Sequence, residues 1–264
     1  MNMRVFVVIV GALIVIMGLI SGLFVGSMQR ALTLPAMQQG TGARAATRPR
    51  TPLPATPTAT PSMPALAPTN VLAQDTFQRK DQTFWGTASD GRTWGADANR
   101  SAVFSIVGMT GQIAHGQGTF NAVLGPLRTN VEVLVSGSLS HFAAGGATNL
   151  GAVVRWNDSN DWYKALIDDA HLTILKRVGG QTTTLGSVPF HPRDGQTYML
   201  RFRAVGATLF ARAWQAGTPE PANWMLMESD TGLTSGYGGI RVLVQNNTVV
   251  TIRSFVETSA SSPM

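Results

Sequence analysis

Arginines recur beside aromatic residues in the second half of the chain, and this pairing suits ligand recognition. A guanidinium group matches a carboxylate with two parallel hydrogen bonds and also stacks on flat rings. We therefore predict a basic, aromatic-lined groove that binds acidic or hydroxyl-rich glycans. Its candidate residues are Arg155, Trp156, Arg201, Arg203, Phe210, Arg212 and Trp214. The competing interpretation is that the arginine stems only cover an exposed sheet face.

Residue patterns typical of common catalytic centres are missing from the sequence. It contains no cysteine, and neither a Gly-x-Ser-x-Gly nor a His-Glu-x-x-His sequence occurs. The four histidines stand singly, without metal-ligand spacing. We therefore predict a protein without catalytic residues, metal ligands or a cofactor.

Calcium is a weaker alternative, because two turns are rich in oxygen ligands. Residues 157–161 and the pair Asp168-Asp169 carry carboxylates and amides of the kind that hard cations prefer. Neither segment has a twelve-residue loop that ends in glutamate. Asp and Asn also favour turns for backbone reasons alone, and we prefer that interpretation.

Short β-rich runs separated by turn residues must position the candidate groove. Strands are predicted at 130–139, 150–156, 162–167, 172–178, 197–204, 207–214, 239–245 and 249–257. In the last two, Ile240, Val242, Val244, Val250, Ile252 and Val256 are predicted to face the core. This spacing predicts an antiparallel sandwich or barrel built from residues 72–258.

One hairpin can be read face by face. A two-residue turn at Val205-Gly206 predicts that Arg203 pairs with Thr208, Arg201 with Phe210, and Met199 with Arg212. The opposite face would carry the core residues Tyr198, Leu200, Phe202, Leu209, Ala211 and Ala213.

The order of strands and turns resembles the laminin-G-like branch of the concanavalin A-like lectin/glucanase superfamily. The resemblance is carried by Asp75-Thr76-Phe77, Trp85-Gly86-Thr87-Ala88, Trp94, and the runs 151–156, 162–165, 172–180, 198–214 and 236–240. It implies an all-β, two-sheet antiparallel jelly roll with one concave face. Members of the superfamily often bind glycans, and some bind calcium.

The glucanase branch of that superfamily carries a Glu-x-Asp-x-x-Glu strand, which this chain lacks. Glu228-Ser229-Asp230 matches the first half of this motif, but Leu233 stands where its second glutamate would be, so one strand supplies no pair of glutamates for acid/base chemistry. We interpret Glu132, within Val131-Glu132-Val133, as the solvent-facing position of an alternating strand.

Residues 5–28 are uncharged and mostly apolar, which predicts a transmembrane signal-anchor helix at 1–30. Gly11, Gly18, Gly22 and Gly26 fall near one stripe of that helix. Such a stripe permits close packing with a second copy or with a partner helix.

A stalk at 31–71 follows, in which seven prolines lie between residues 49 and 68. The folded domain at 72–258 and a tail at 259–264 complete the predicted organisation. Residues 1–73 carry five arginines and no acid, so most of the net charge of +6 belongs to this part. The domain therefore lacks the dense basic cluster of a nucleic-acid-binding surface.

The basic flank at 30–50 would place the C-terminal part in the cytoplasm, whereas a stalked domain suggests the cell exterior, which we prefer. The sequence thus predicts a single-pass, membrane-anchored, non-catalytic module that binds glycans or another surface ligand. One alternative is an accessory subunit of a membrane complex, held by its glycine-striped helix. Another is a divergent glycoside-active enzyme.

Overall fold

The computed structural model describes residues 70–245 and 247–261, which form a two-sheet antiparallel β-sandwich. Within these residues no helix is long and apolar enough to cross a bilayer. The strands are β1 (Val71–Asp75), β2 (Gln82–Thr83), β3 (Gly95–Ala96), β4 (Phe104–Val107), β5 (Thr110–Ile113), β6 (Gly118–Arg128), β7 (Val131–Leu139), β8 (Leu150–Trp156), β9 (Trp162–Ile167), β10 (His171–Val178), β11 (Gln181–Pro189), β12 (Tyr198–Val205), β13 (Thr208–Gln215), β14 (Leu226–Ser229), β15 (Gly236–Val244) and β16 (Val250–Ser259). Short 3-10 turns lie at Asp97–Asn99 and Ala144–Gly146.

The two sheets differ in size. The larger sheet runs in the order β14-β13-β12-β7-β16-β5-β4-β2, with β1 also paired to β16. The smaller sheet runs in the order β11-β10-β9-β8-β15-β6-β3. Side chains that alternate along each strand meet between the sheets and form one apolar core.

An aromatic cluster closes one part of this core around a buried carboxylate. Trp85 and Trp94 pack edge to face with ring centroids 4.9 Å apart. Asp75 is fully buried and accepts hydrogen bonds from Trp94 Nε1 at 2.7 Å and from both terminal nitrogens of Arg79 at 2.7 and 3.0 Å. The Asp-Thr-Phe and tryptophan motifs that carried the family resemblance therefore have a structural role at this end of the sandwich.

The predicted sandwich architecture is confirmed, and two predicted strands, β8 and β9, have the observed bounds. The predicted pairing register between β12 and β13 is wrong by two residues. The turn is Gly206-Ala207, so Arg201 pairs with Arg212 and Arg203 pairs with Phe210. A shift of two preserves the faces of the strands, and all six predicted core residues of the hairpin are buried.

Val256 is half-buried and does not face the core as predicted. A bulge between Ile252 and Ser254 shifts the alternation in β16, so Phe255 and Glu257 point inward instead.

The predicted membrane helix, its glycine stripe and nearly all of the stalk lie outside the described residues. At the predicted domain edges, Val71 belongs to β1 and Ser259 belongs to β16.

Candidate functional site

The outer face of the larger sheet carries three of the predicted arginines, Arg201, Arg203 and Arg212, but each one has an acidic or carbonyl partner. Arg201 Nη1 donates a hydrogen bond to Glu132 Oε1. Its Nε and Nη2 donate to the two carboxylate oxygens of Glu220 at 2.7 and 3.0 Å. Arg212 Nη2 lies 2.5 Å from Glu220 Oε1, and Arg203 donates to the carbonyl of Ser261. Two carboxylates thus offset most of the positive charge of three arginines.

The aromatic residues of this face are covered as well. Phe210 and Trp214 are 8% and 9% exposed, and Trp224 packs on Phe210 with ring centroids 5.3 Å apart. The guanidinium of Arg212 lies 4.4 Å from the Trp224 ring centroid. The arginines and rings of this face therefore form a layer of ion pairs and largely buried rings, and their role in ligand binding stays a prediction. Glu132 lies on the predicted face, yet it is an ion-pair partner rather than a free solvent-facing side chain.

Arg155 and Trp156 lie at the end of β8, in the other sheet. Arg155 is 1% exposed, with a left-handed backbone at φ +51°. Its guanidinium donates to the carbonyls of Thr129, Gly206 and Leu233 at 2.9, 2.6 and 2.8 Å. Arg155 therefore ties three loops together and is not part of the predicted groove.

The outer face of the smaller sheet contains a recess. Tyr163, Ala165 and Ile167 of β9 belong to the core between the sheets. The alternate residues Trp162 and Lys164 must therefore point outward, yet they are only 3% and 4% exposed. A strand buried on both faces at this position marks a depression in the outer surface.

A cavity of about 410 Å³ lies in this recess. Leu166 of β9, Leu175 of β10 and Leu243 of β15 supply its apolar surface. Asn149, Asp168, Thr173, Thr184 and Ser187 supply polar groups around it. The cavity therefore combines an apolar floor with side chains that can donate and accept hydrogen bonds.

One wall of the cavity is the loop that leads into β8. The backbone N–H groups of Gly145 and Gly146 donate to the carboxylate of Asp169 at 3.1 and 2.8 Å, which fixes the loop to the end of β9. These bonds, that from Gly146 first, hold the pKa of Asp169 below its usual value. Asp168 Oδ1 accepts the N–H groups of Ala170 and His171 at 2.9 and 2.8 Å. Its Oδ2 accepts no hydrogen bond from any described residue and is free for a ligand.

Asn149 is oriented by its neighbours. Its side-chain Oδ1 accepts hydrogen bonds from Lys164 Nζ at 2.6 Å and from the Leu243 N–H at 3.2 Å. Gly151 lies beneath the Lys164 stem, where a Cβ would overlap Lys164 Cε. Burial lowers the pKa of Lys164 well below its usual value, Arg241 acts in the same direction, and Asp168 opposes them.

The other end of the recess carries a second cation, the partly buried Arg241. The Arg241 guanidinium lies 4.5 Å from the Trp162 ring centroid and donates to Asn121 Oδ1. Asn121 Nδ2 in turn donates to Asp97 Oδ2 at 3.0 Å. Burial, and then the charge of Arg177, lowers the pKa of Arg241 to about 10. The aromatic face that the recess offers is therefore already occupied by an arginine.

The oxygen-rich turns hold backbone groups. Asp158 Oδ1 accepts the Asn160 N–H at 2.6 Å, and Asp161 Oδ1 accepts the Gly179 N–H at 2.8 Å. Within the described part of the chain, no group of three or more His, Asp or Glu residues is arranged to hold a metal ion.

Sequence reasoning missed this recess, although β9 carried a signal. The run Trp162-Tyr163-Lys164-Ala165-Leu166-Ile167 is apolar at nearly every position, which is typical of a strand buried on both faces. In contrast, β12 alternates clearly between core and polar residues.

No family model matches this chain, and no curated protein matches its sequence. Among solved structures, it is similar to a xylan β-1,4-xylosidase from Bacillus halodurans C-125, with a TM-score of 0.53, 13% identity, and coverage of 76% of this chain and 41% of that chain. The Bacteroides ovatus xyloglucan PUL GH43B gives a TM-score of 0.50 at 13% identity over 76% of this chain and 41% of that chain. The carbohydrate binding module CBM66 from Bacillus subtilis gives 0.47 at 12% identity over 64% of this chain and 92% of that chain. The chain thus spans less than half the length of the two proteins with the higher scores, and the similarity establishes a shared β-sandwich fold.

Proposed function

We propose that the sandwich binds carbohydrate without cleaving it, in the recess on the outer face of the smaller sheet. The observation that carries this proposal is the cavity beside Asn149 and Asp168, which pairs three leucines with fixed polar groups. A sugar presents hydroxyls around its edge and C–H groups on its faces. An apolar floor with a few oriented polar groups is the usual design of a small-ligand site.

The size of the cavity supports a short ligand. At about 410 Å³ it lies toward the lower end of the range of about 300–1,000 Å³ found for small-molecule sites. One or two sugar units at the end of a chain fit such a volume better than a long polymer. Asp168 Oδ2 would accept bonds from neighbouring hydroxyls, and the Thr184 hydroxyl would donate to a ring or hydroxyl oxygen.

Binding without hydrolysis is proposed because the cavity offers one carboxylate. Glycosidases generally use two carboxyl groups on opposite sides of the scissile bond. Among the described residues, Asp168 is the single acidic one that lines the cavity, and two backbone N–H groups already hold its Oδ1. The fold shared with part of a xylosidase supports a carbohydrate ligand and keeps a divergent glycoside-active enzyme as the second candidate.

We further propose that residues 5–28 anchor this module in the cell membrane and that residues 31–71 hold it outside the cell. The support is the apolar length of the first segment and the proline content of the second. An accessory subunit of a membrane complex remains the alternative role, with the glycine stripe as its contact.

The test is a glycan array probed with the full-length protein in mild detergent, followed by titration of the best ligand. Asp168→Ala should weaken binding at least tenfold, because a buried ligand hydroxyl would lose its acceptor. Met227→Ala, on the exposed opposite face of the molecule, is the matched control and should bind like the parent. Full binding by Asp168→Ala, or no binding by the parent to any glycan, would contradict the proposal. Release of shorter sugars by the parent, lost in Asp168→Ala, would favour the enzyme.

A further inference from the structure

Lys164 and Asn149 form a hydrogen-bonded pair of buried side chains. Lys164 Nζ lies 2.6 Å from Asn149 Oδ1, and the two residues are 4% and 6% exposed. Within residues 70–245 and 247–261, Lys164 takes part in no salt bridge with a carboxylate. Burial, and then the charge of Arg241, lowers the pKa of Lys164 and favours its neutral, nucleophilic form, while the charge of Asp168 acts in the opposite direction.

The asparagine is placed to act as the electrophile. Two main-chain hydrogen bonds with Leu243, at 2.9 and 3.3 Å, fix the Asn149 backbone at the start of β8. The Leu243 N–H also donates to Asn149 Oδ1 at 3.2 Å. A donor at this oxygen would stabilise the negative charge that develops there when the side-chain carbonyl is attacked.

The remaining requirement is a group that moves a proton. Asp168 lines the same cavity as Asn149, and its charge acts on Lys164. Asp168 Oδ2 is not engaged by any described residue and forms no ion pair with Lys164, so it would accept a proton from one nitrogen through a bridging water and return it to the other. Gly151 supplies the space in which the Lys164 stem reaches Asn149.

We propose that Lys164 and Asn149 condense into an intramolecular isopeptide bond. The Nζ lone pair attacks Asn149 Cγ, and a Cγ–Nζ bond forms. A proton passes from Nζ through a bridging water and Asp168 to Nδ2, the Cγ–Nδ2 bond breaks, and ammonia leaves. The step is an exchange of one amide for another, so it needs no oxidant, reductant or added reagent.

The cross-link would close a covalent ring across the β8–β9 hairpin, beneath the cavity. It would give this cysteine-free chain a covalent restraint that reducing conditions cannot remove. The proposed bond does not depend on sugar binding, because it is inferred from the contact between Lys164 and Asn149 and its product is detected by mass.

The experiment is tryptic peptide mapping of the denatured full-length protein by mass spectrometry. A cross-link would join the peptide 129–155 to the peptide 156–176, because trypsin does not cleave after an acylated Lys164. The joined species should weigh about 17 Da less than the sum of the two peptides, which is the mass of ammonia. Separate, unmodified peptides 129–155 and 156–164 from the folded parent would overturn the proposal.

Three variants test the roles of the individual residues in the cross-link. Lys164→Arg retains the cation but cannot condense, so it should give only separate peptides. Asp168→Ala should accumulate the linked species more slowly, and cross-linking at the parent rate would overturn the role given to Asp168. Lys176→Arg should leave the 149–164 link intact. Lys176 in the parent is an internal control as well, since its Nζ lies 2.5 Å from Asp230 in a partly buried ion pair and should form no link.

Discussion

The carboxylate of Asp75 accepts a hydrogen bond from the indole Nε1 of Trp94 at 2.7 Å, inside the aromatic cluster of the core. The same carboxylate holds Arg79 and the Phe77 N–H. Asp75→Asn removes the charge that Arg79 requires and should lower the free energy of unfolding by about 3 kcal/mol. Thermal or denaturant unfolding measures the loss. Asp81→Asn, at an exposed turn, is the control, and an equal loss there would contradict the assigned role of Asp75.

Glu257 makes stability depend on pH. It is fully buried, neither carboxylate oxygen has a hydrogen-bond partner among the described residues, and burial raises its pKa from 4.5 to about 8. Between these two pH values the folded state keeps a proton that the unfolded state has lost. The stabilisation is therefore complete below pH 4.5 and declines by about 1.4 kcal/mol per pH unit until the pH passes the folded pKa.

Denaturant unfolding at intervals from pH 5 to pH 8 checks this dependence. Glu257→Gln should flatten the decline, because an amide does not ionise. Glu228→Gln should retain the slope of the parent. A parent whose stability is constant across this range would show that Glu257 titrates normally.

The ion-pair layer on the larger sheet should contribute stability rather than binding. Replacing Arg201 and Arg212 together by Ala leaves Glu132 and Glu220 without their main partners. We expect a loss of about 2 kcal/mol of unfolding free energy with unchanged glycan affinity. Arg253→Ala, an exposed arginine of the same sheet, should cost much less. Weaker sugar binding by the double variant at unchanged stability would instead support the predicted basic groove as a binding site.

We expect that replacing Arg155 even by lysine destabilises the folded domain. Its three carbonyl partners require a planar fork, and an ammonium group on a shorter reach cannot contact all three. Arg155→Lys should therefore lower the unfolding free energy by about 2–4 kcal/mol. Arg253→Lys is the matched control. Faster hydrogen exchange at Thr129, Gly206 and Leu233 would locate the loss, and unchanged exchange there would argue against the tie.

In the β12–β13 hairpin, the sequence pattern predicts the faces of the strands correctly but not their pairing register. Alternation alone assigned every core residue of the two strands to the correct face. The register depends on which residue begins the turn, and Gly206 occupies the first central position with φ +55°. A glycine there is typical of a type II′ turn, so Gly206-Ala207 was the better choice.

The recess could not be predicted from the sequence alone, because the residues that line it come from strands distant in the chain. The apolar run of β9 indicated burial on both faces, but strand periodicity does not reveal which distant residues complete a cavity. Asn149, Asp168 and Leu243 meet there because β8 lies between β9 and β15, an order that sequence spacing does not specify. Arg155 was misplaced for a related reason, since a positive φ at the end of β8 turns it away from the alternation of the strand.

The position of β1 has a mechanical consequence. β1 pairs with β16 alone and lies off the main path of its sheet, with Val71 opposite Thr258 and Asp75 opposite Phe255. A pulling force applied at residue 70 would load the hydrogen bonds of this pair one after another, beginning at Val71. Peeling would stop at Asp75, where the carboxylate holds Arg79 and Trp94. Because Ala73 of β1 is fully buried in the core, this peeling would also begin to open the core, so tension at residue 70 would loosen the domain from this edge.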